Sequence, residues 1–375
     1  MKILIRTLPL RRGNYGGILQ AWALQQALKD LGADPFTDRS DRPAKLVPYT
    51  ARAVARPVRN LLPSGLNILP GDARWRGDAR VRGFVHEEVA TTSLFPPYTR
   101  RPRTRVLKEF DAFVVGSDQV WRSAYGDVPS YLLDFLPEGD GRRKVAYAAS
   151  FGSTEANAWS PQMVTTASEL MGRFDGLSCR EESGTRWIRE HLGLDADTMP
   201  DPTLLLAPER YEQLIRRTGA SRGTPAGRYV LAYVLDRSPE FSRVIQGVAD
   251  EMGAEVLEIG NADGKGGAGT RPSPAEWLNL IANAQLMVTD SFHGMLFAGV
   301  LNTPHAGIPN QSRGVDRFHS LADLLATRGA IATDAAEVAA IAGDFGGRVD
   351  RATTEQRLDD ARAAGLGFLR HSLSL

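Results

Sequence analysis

Thr289-Asp290-Ser291-Phe292-His293-Gly294 sets a carboxylate, a hydroxyl and an imidazole side by side, between a run that reads as a buried strand, Gln285 to Thr289, and one that begins a helix, Met295 to Leu301. A histidine at such a junction lies beside unpaired backbone N–H groups. Near neutral pH it can move a proton, and when protonated it can hold an anion, although a lone histidine is more often a satisfied structural group. Arg180-Glu181-Glu182-Ser183 follows another short strand. The Arg180 guanidinium suits a two-pronged grip on a carboxylate or phosphate; the plainer alternative is an ion pair with Glu181, Glu182 or Asp201. Gly116-Ser117-Asp118-Gln119-Val120-Trp121 and Tyr147-Ala148-Ala149-Ser150-Phe151-Gly152 also stand at strand ends. There Asp118 can accept a hydrogen bond from a substrate hydroxyl or cap a helix, and the small residues around Ser150 admit a ligand or a neighbouring backbone. Gly13-Asn14-Tyr15-Gly16-Gly17 lies between the first strand and a helix. Its glycines allow close backbone approach, to an anion at the helix N-terminus or simply around a tight turn, and it lacks the third glycine of the dinucleotide fingerprint.

Elements that hold such loops must alternate strand with helix. Short β-branched runs recur at Lys2 to Leu8, Ala112 to Gly116, Lys144 to Ala149, Gly176 to Cys179, Tyr229 to Leu235, Glu255 to Ile259, Leu286 to Thr289 and Thr303 to Ile308, with helical patterns between them. That alternation predicts α/β layers with parallel sheets. Ile18 to Leu31 reads as an amphipathic helix ended by Gly32. With 375 residues the chain has room for two domains at roughly 100–200 residues each. The prolines bracketing Thr203 to Leu206 mark the boundary, giving Rossmann-like domains at 1–206 and 207–349 and a C-terminal helix, 350–375, that packs back on the first. Asp41 to Lys108 breaks the pattern: it is rich in proline and carries fourteen Lys/Arg against five Asp/Glu. It reads as an insertion or a mobile arm, either a solvated loop or a surface for an anionic acceptor or lipid headgroups.

Forty-five basic against forty-four acidic residues give a formal charge of +1, so no global field favours nucleic acid or an anionic membrane, and any anion site must be local. The single Cys179 can close no intrachain disulfide and build no thiolate metal site, which fits a reducing cytoplasm. Lys2 to Arg6 is too short and too soon charged to read as a secretory leader, and no apolar run approaches the ~20 residues of a membrane span. The expected location is cytoplasmic, with a peripheral contact at the inner membrane face left open. His-Glu-x-x-His, cysteine clusters and EF-hand loops are all missing, so a dedicated metal site is not expected.

Taken in order, the five motifs above, together with Asp201-Pro202-Thr203-Leu204-Leu205, resemble the polysaccharide pyruvyl transferase family over about residues 1 to 320. The resemblance implies a two-domain fold of the glycosyltransferase-B type with the active site in the cleft, and transfer of pyruvate from phosphoenolpyruvate onto sugar hydroxyls as a ketal. It implies that Arg180 binds the donor's phosphate or carboxylate and that His293 transfers a proton or binds the carboxylate, with Asp118 on an acceptor hydroxyl. Ser291, Gly294, Arg313 and Arg317 fall to the donor side. Asn14, Tyr15, Gly16, Gly17, Ser117 and Ser150 fall to the acceptor side or the cleft floor. No organic cofactor or metal is implied, and the acceptor is a free, nucleotide-linked or lipid-linked glycan. A nucleotide-sugar glycosyltransferase of the same fold and a non-catalytic glycan-binding protein remain alternatives.

Overall fold

Ile3, Leu4 and Ile5 have no polar face to turn to water, and Lys2–Arg6 accordingly forms an inner strand, β1, buried on both sides. The computed structural model that shows this describes residues 1–10, 14–40, 42, 79–97, 99–125, 127–152, 159–223, 225–236, 238–259, 272–309, 316–327, 330–332, 334–343 and 351–375. Gly13, Arg313, the Gly-rich stretch 261–269 and most of the basic insertion (41 and 43–78) lie outside the described residues. β1 pairs in parallel with β2 (Asp34–Asp38) on one side and β4 (Ala112–Val115) on the other. β3 (Thr91–Thr92), β5 (Arg143–Ala149), β6 (Gly176–Cys179) and β7 (Asp197–Thr198) complete a seven-stranded sheet in the order β3-β2-β1-β4-β5-β6-β7. A second parallel sheet, β11-β10-β8-β9, is built from β8 (Tyr229–Tyr233), β9 (Glu255–Glu258), β10 (Leu286–Thr289) and β11 (His305–Gly307).

In each sheet the chain works outward from one strand, then returns to its other side. The order reverses between β1 and β4 in the first sheet and between β8 and β10 in the second. Ligands of open α/β sheets bind outside the carboxyl ends of the strands at such reversals. Here the loops from both reversals meet.

An aromatic layer holds the two sheets' helices together. Tyr15, in the Tyr15–Asp30 helix that follows β1, stacks on Trp277 of the second half at 5.3 Å and 11°, and its hydroxyl donates to the Pro272 carbonyl at 3.0 Å. Trp22 of the same helix lies 5.7 Å from Tyr211. The Arg351–Leu373 helix packs on β5 and on the Pro202–Leu205 turn. Gly365 allows that approach, because a Cβ there would stand 2.4 Å from the Tyr147 hydroxyl and 2.6 Å from Leu205. The same helix reaches the second half through Thr354, whose hydroxyl donates to the Leu325 carbonyl at 2.9 Å.

β2 has no counterpart among the strands read from the sequence. Its residues, Asp34-Pro35-Phe36-Thr37-Asp38, carry a proline and two carboxylates, yet Thr37 and Asp38 are buried. Burial of Asp38 is compensated by a partner far along the chain: Arg6 Nη1 donates to its carboxylate at 2.5 Å.

Candidate active site

Phe292–Val300 is a helix capped by Ser291, whose hydroxyl accepts from the Gly294 N–H at 3.3 Å. Asp290 accepts from the Leu235 and Asp236 N–H groups at 2.6 and 2.8 Å, tying the end of β10 to the loop after β8. These bonds fix where His293 starts, and the loop after β1 fixes where its ring lies. Asn14 caps the Tyr15–Asp30 helix by accepting from the Gly17 N–H at 2.9 Å. A Cβ on Gly16 would lie 2.2 Å from both Cγ and Nδ1 of His293. The imidazole therefore rests on the Gly16 backbone, and only glycine leaves that room.

The other edge of the ring, Nε2, stands 3.4 Å from Asp201 Oδ2 and has no aligned hydrogen bond among the described residues. Asp201 Oδ2 also accepts from Arg180 Nη1 at 2.9 Å, while Oδ1 takes the Thr203 N–H at 3.1 Å and hydroxyl at 2.8 Å. Burial by itself would raise this carboxyl's pKa. His293, Arg180 and Thr203 outweigh burial and hold Asp201 well below the ordinary carboxylate range, hence ionised.

Arg180 is buried among carboxylates. Its Nε donates to Glu181 at 3.0 Å, and Nη2 faces Asp118 Oδ1 at 3.9 Å with no hydrogen-bond partner among the described residues. Burial opposes its charge, yet Glu181, Asp201 and Asp118 keep its pKa above the usual arginine value. The ion pair anticipated with Glu181 and Asp201 is thus present, whereas Glu182 turns outward to Arg186. Arg317 sits opposite. The guanidinium carbons of Arg180 and Arg317 lie 4.4 and 5.6 Å from the centroid of one ring, Phe292. Arg317 forms no ion pair with a described carboxylate, and its Nε has no partner among the described residues. Burial first, and then the charge of Arg180, push its pKa down to about 10, so it remains a cation at neutral pH.

Three side-chain nitrogens, Arg180 Nη2, Arg317 Nε and His293 Nε2, are thus buried without hydrogen-bond partners in one neighbourhood. Between Arg180, Asp201, Phe292, Arg317 and Leu321 lies a cavity of about 60 Å³, several times the ~10–15 Å³ that a water needs. Buried donors without acceptors cost roughly 1–3 kcal/mol each, a cost that an acceptor placed in this cavity would relieve.

The remaining candidates lie nearby with their polar atoms committed. Ser117 is fully buried, donating from its hydroxyl to the Ala148 carbonyl at 2.6 Å and from its N–H to Gln20 Oε1 at 3.0 Å. The Ser150 hydroxyl donates to Glu181 at 3.0 Å, and the Tyr15 hydroxyl is taken by Pro272. The Asp118 carboxylate, at φ 66°, precedes no α-helix and faces Arg180. Asp201, Glu181 and Gln20 were not among the candidates read from the sequence. No three His, Cys, Asp or Glu side chains converge as a metal would require among the described residues, and no described helix is long and apolar enough to cross a membrane.

Comparison with known proteins now bears on this geometry. The sequence matches the family model for polysaccharide pyruvyl transferase over residues 14–312. The chain belongs to the polysaccharide pyruvyl transferase family. No curated protein matches it. Among solved structures, this pyruvyl transferase family member is similar to the UDP-N-acetylglucosamine 2-epimerase of Rickettsia bellii, at 13% identity and TM-score 0.53, covering 100% of this chain and 96% of that one. It is also similar to the Neisseria meningitidis UDP-GlcNAc 2-epimerase bound to UDP-GlcNAc, at 10% identity and TM-score 0.53, covering 98% and 99%. The S. aureus MnaA–UDP co-structure follows at 11% identity and TM-score 0.51, covering 100% and 98%. These likenesses establish the fold alone: α/β with two parallel sheets across a cleft, the glycosyltransferase-B type.

Proposed function

We propose that this family member transfers pyruvate from phosphoenolpyruvate to two hydroxyls of a sugar, forming a ketal and releasing inorganic phosphate. The single observation that carries the reading is the pair of buried guanidinium groups, Arg180 and Arg317, each with an unpartnered nitrogen and both lining a small cavity. Phosphoenolpyruvate offers a carboxylate and a phosphate, and two guanidinium groups held on one phenyl ring suit them by charge and by hydrogen-bond geometry.

The chemistry assigns a task to each group. A proton from His293 goes to the donor's methylene carbon, leaving an oxocarbenium-like centre at the carbon that bears phosphate. One sugar hydroxyl adds there, the C–O bond to phosphate breaks, and the second hydroxyl closes the ketal. Of the two hydroxyl protons, one balances the proton placed on the methyl group and the other leaves with phosphate. Asp118 accepts the hydrogen bond of an attacking hydroxyl, while Asp201, ionised and anchored, positions Arg180 and His293 without touching the substrate. The reading requires no organic cofactor.

Arg317 gives the cleanest test, because no described carboxylate forms an ion pair with it. Replacing a buried unpaired charge by an apolar side chain of similar length spares the fold, while loss of a charged hydrogen bond, worth about 1.5–3 kcal/mol, weakens binding by roughly 10–100-fold. Arg317→Met is expected to melt at or above the wild-type temperature and to bind phosphoenolpyruvate at least tenfold more weakly by calorimetry. Undiminished binding would remove Arg317 from the donor site.

A further inference from the structure

If the hydroxyls of Ser117, Ser150 and Tyr15 are all spent within the protein, the sugar must be received by something else at the mouth of the cleft. The loop after β4 supplies a candidate. Tyr125 is 45% exposed, alone among the large aromatic side chains of the described residues in being so open. It closes a 3₁₀ turn, Ser123–Tyr125, that continues from Asp118. The turn is fastened to the β5 loop on the site's flank: the Ser150 N–H donates to the Asp118 carbonyl at 3.0 Å, and the Trp121 N–H to the Ser150 carbonyl at 3.2 Å. Arg122 braces the ring. Its guanidinium carbon stands 4.6 Å from the Tyr125 centroid, and Nη1 donates to the Tyr125 hydroxyl at 3.1 Å and to Gln119 Oε1 at 3.0 Å.

We propose that Tyr125, held by Arg122, is the platform on which a pyranose ring of the acceptor lies, with its hydroxyls turned toward Asp118 and Arg317. The inference rests on the pyruvyl-transfer reading and names the acceptor side of that site. Arg122 occupies one face of the phenol, so the exposed area belongs to the other face and the edge. A pyranose has an apolar C–H face and a polar rim, which matches an aromatic body with a wet hydroxyl at its tip. Because the ring is already fastened, stacking costs little side-chain freedom.

The test measures sugar and donor separately. Methyl glycosides of glucose, galactose and mannose are screened by saturation-transfer NMR, with and without phosphoenolpyruvate, against the wild type, Tyr125→Ala and Tyr125→Phe. Phosphoenolpyruvate is titrated into the same proteins by calorimetry. At least one glycoside should show transfer to its ring C–H protons, Tyr125→Ala should weaken it tenfold or more, and Tyr125→Phe should keep most of it. Donor binding should be equal in all three. Glycoside binding unchanged in Tyr125→Ala, or no glycoside bound by the wild type, overturns the platform. Absence of phosphoenolpyruvate binding overturns the donor reading instead, and leaves the platform to be judged by the glycoside arm.

Discussion

Asp201 meets both Arg180 and His293 with one oxygen, and that shared contact makes its removal informative. Asp201→Asn keeps the shape but leaves Arg180 short of a buried partner, a change that typically costs about 3–5 kcal/mol. Its pKa is depressed in the folded protein, so the stability it contributes is complete above its ordinary value of 3.8 and is lost as pH falls below it. Urea midpoints should therefore show the variant less stable at neutral pH and flatter than the wild type on the acid side; equal slopes would detach Asp201 from Arg180 and His293. His293 is tested through rate. His293→Asn can keep a hydrogen bond but cannot shuttle a proton, so kcat should fall by ~10²–10⁴ with donor binding retained. A raised KM with turnover restored at saturation would mean that His293 only binds. The placement of Arg180 and His293 after strands could be read from sequence. Asp201 could be read only as an ion-pair partner, since nothing in Asp-Pro-Thr shows that its carboxylate spans to a histidine ninety-two positions away. The inward turn of the Ser117 hydroxyl was equally hidden. It belongs to a backbone in which Asp118 and Ala148 both adopt positive φ, a conformation that residue type does not foretell for either.

Elements show the same division between what patterning reveals and what pairing decides. Continuous apolar runs announced β1, β4, β8 and β10, and small shifts at their ends changed nothing about which loops they carry. β2 escaped notice because its stability comes from the Arg6–Asp38 pair and from pairing with β1, neither of which is local. β3 and β7 are two residues each, too short to have a period. Loop glycines behave differently: the cluster after β1 was legible as a place of close approach, but what approaches was not. It is the imidazole of His293. Gly16→Ala is therefore expected to displace that ring and to lower kcat at least tenfold, while the Tyr15–Asp30 helix, which favours alanine over glycine, holds its melting temperature within a few degrees. Normal turnover in this variant would show that the ring's seat on the loop is unimportant.

At the scale of the whole molecule, two sheets each present a reversal of strand order, and the loops from the two reversals share one buried group of charges. The alternation of strands and helices sufficed to foresee parallel sheets, and the family resemblance supplied the glycosyltransferase-B arrangement. It could not foresee the aromatic layer of Tyr15, Trp277, Trp22 and Tyr211, because stacking across the halves depends on side-chain geometry that has no signature along the chain. Phosphoenolpyruvate carrying ¹³C, incubated with the protein and a glycan panel, separates pyruvyl transfer from its rivals in one experiment. Pyruvyl transfer predicts that inorganic phosphate appears in ³¹P spectra in step with a new quaternary ketal carbon, and that UDP-sugars supplied alone release no UDP. Release of UDP from a UDP-sugar, with phosphoenolpyruvate left intact across the panel, would contradict it.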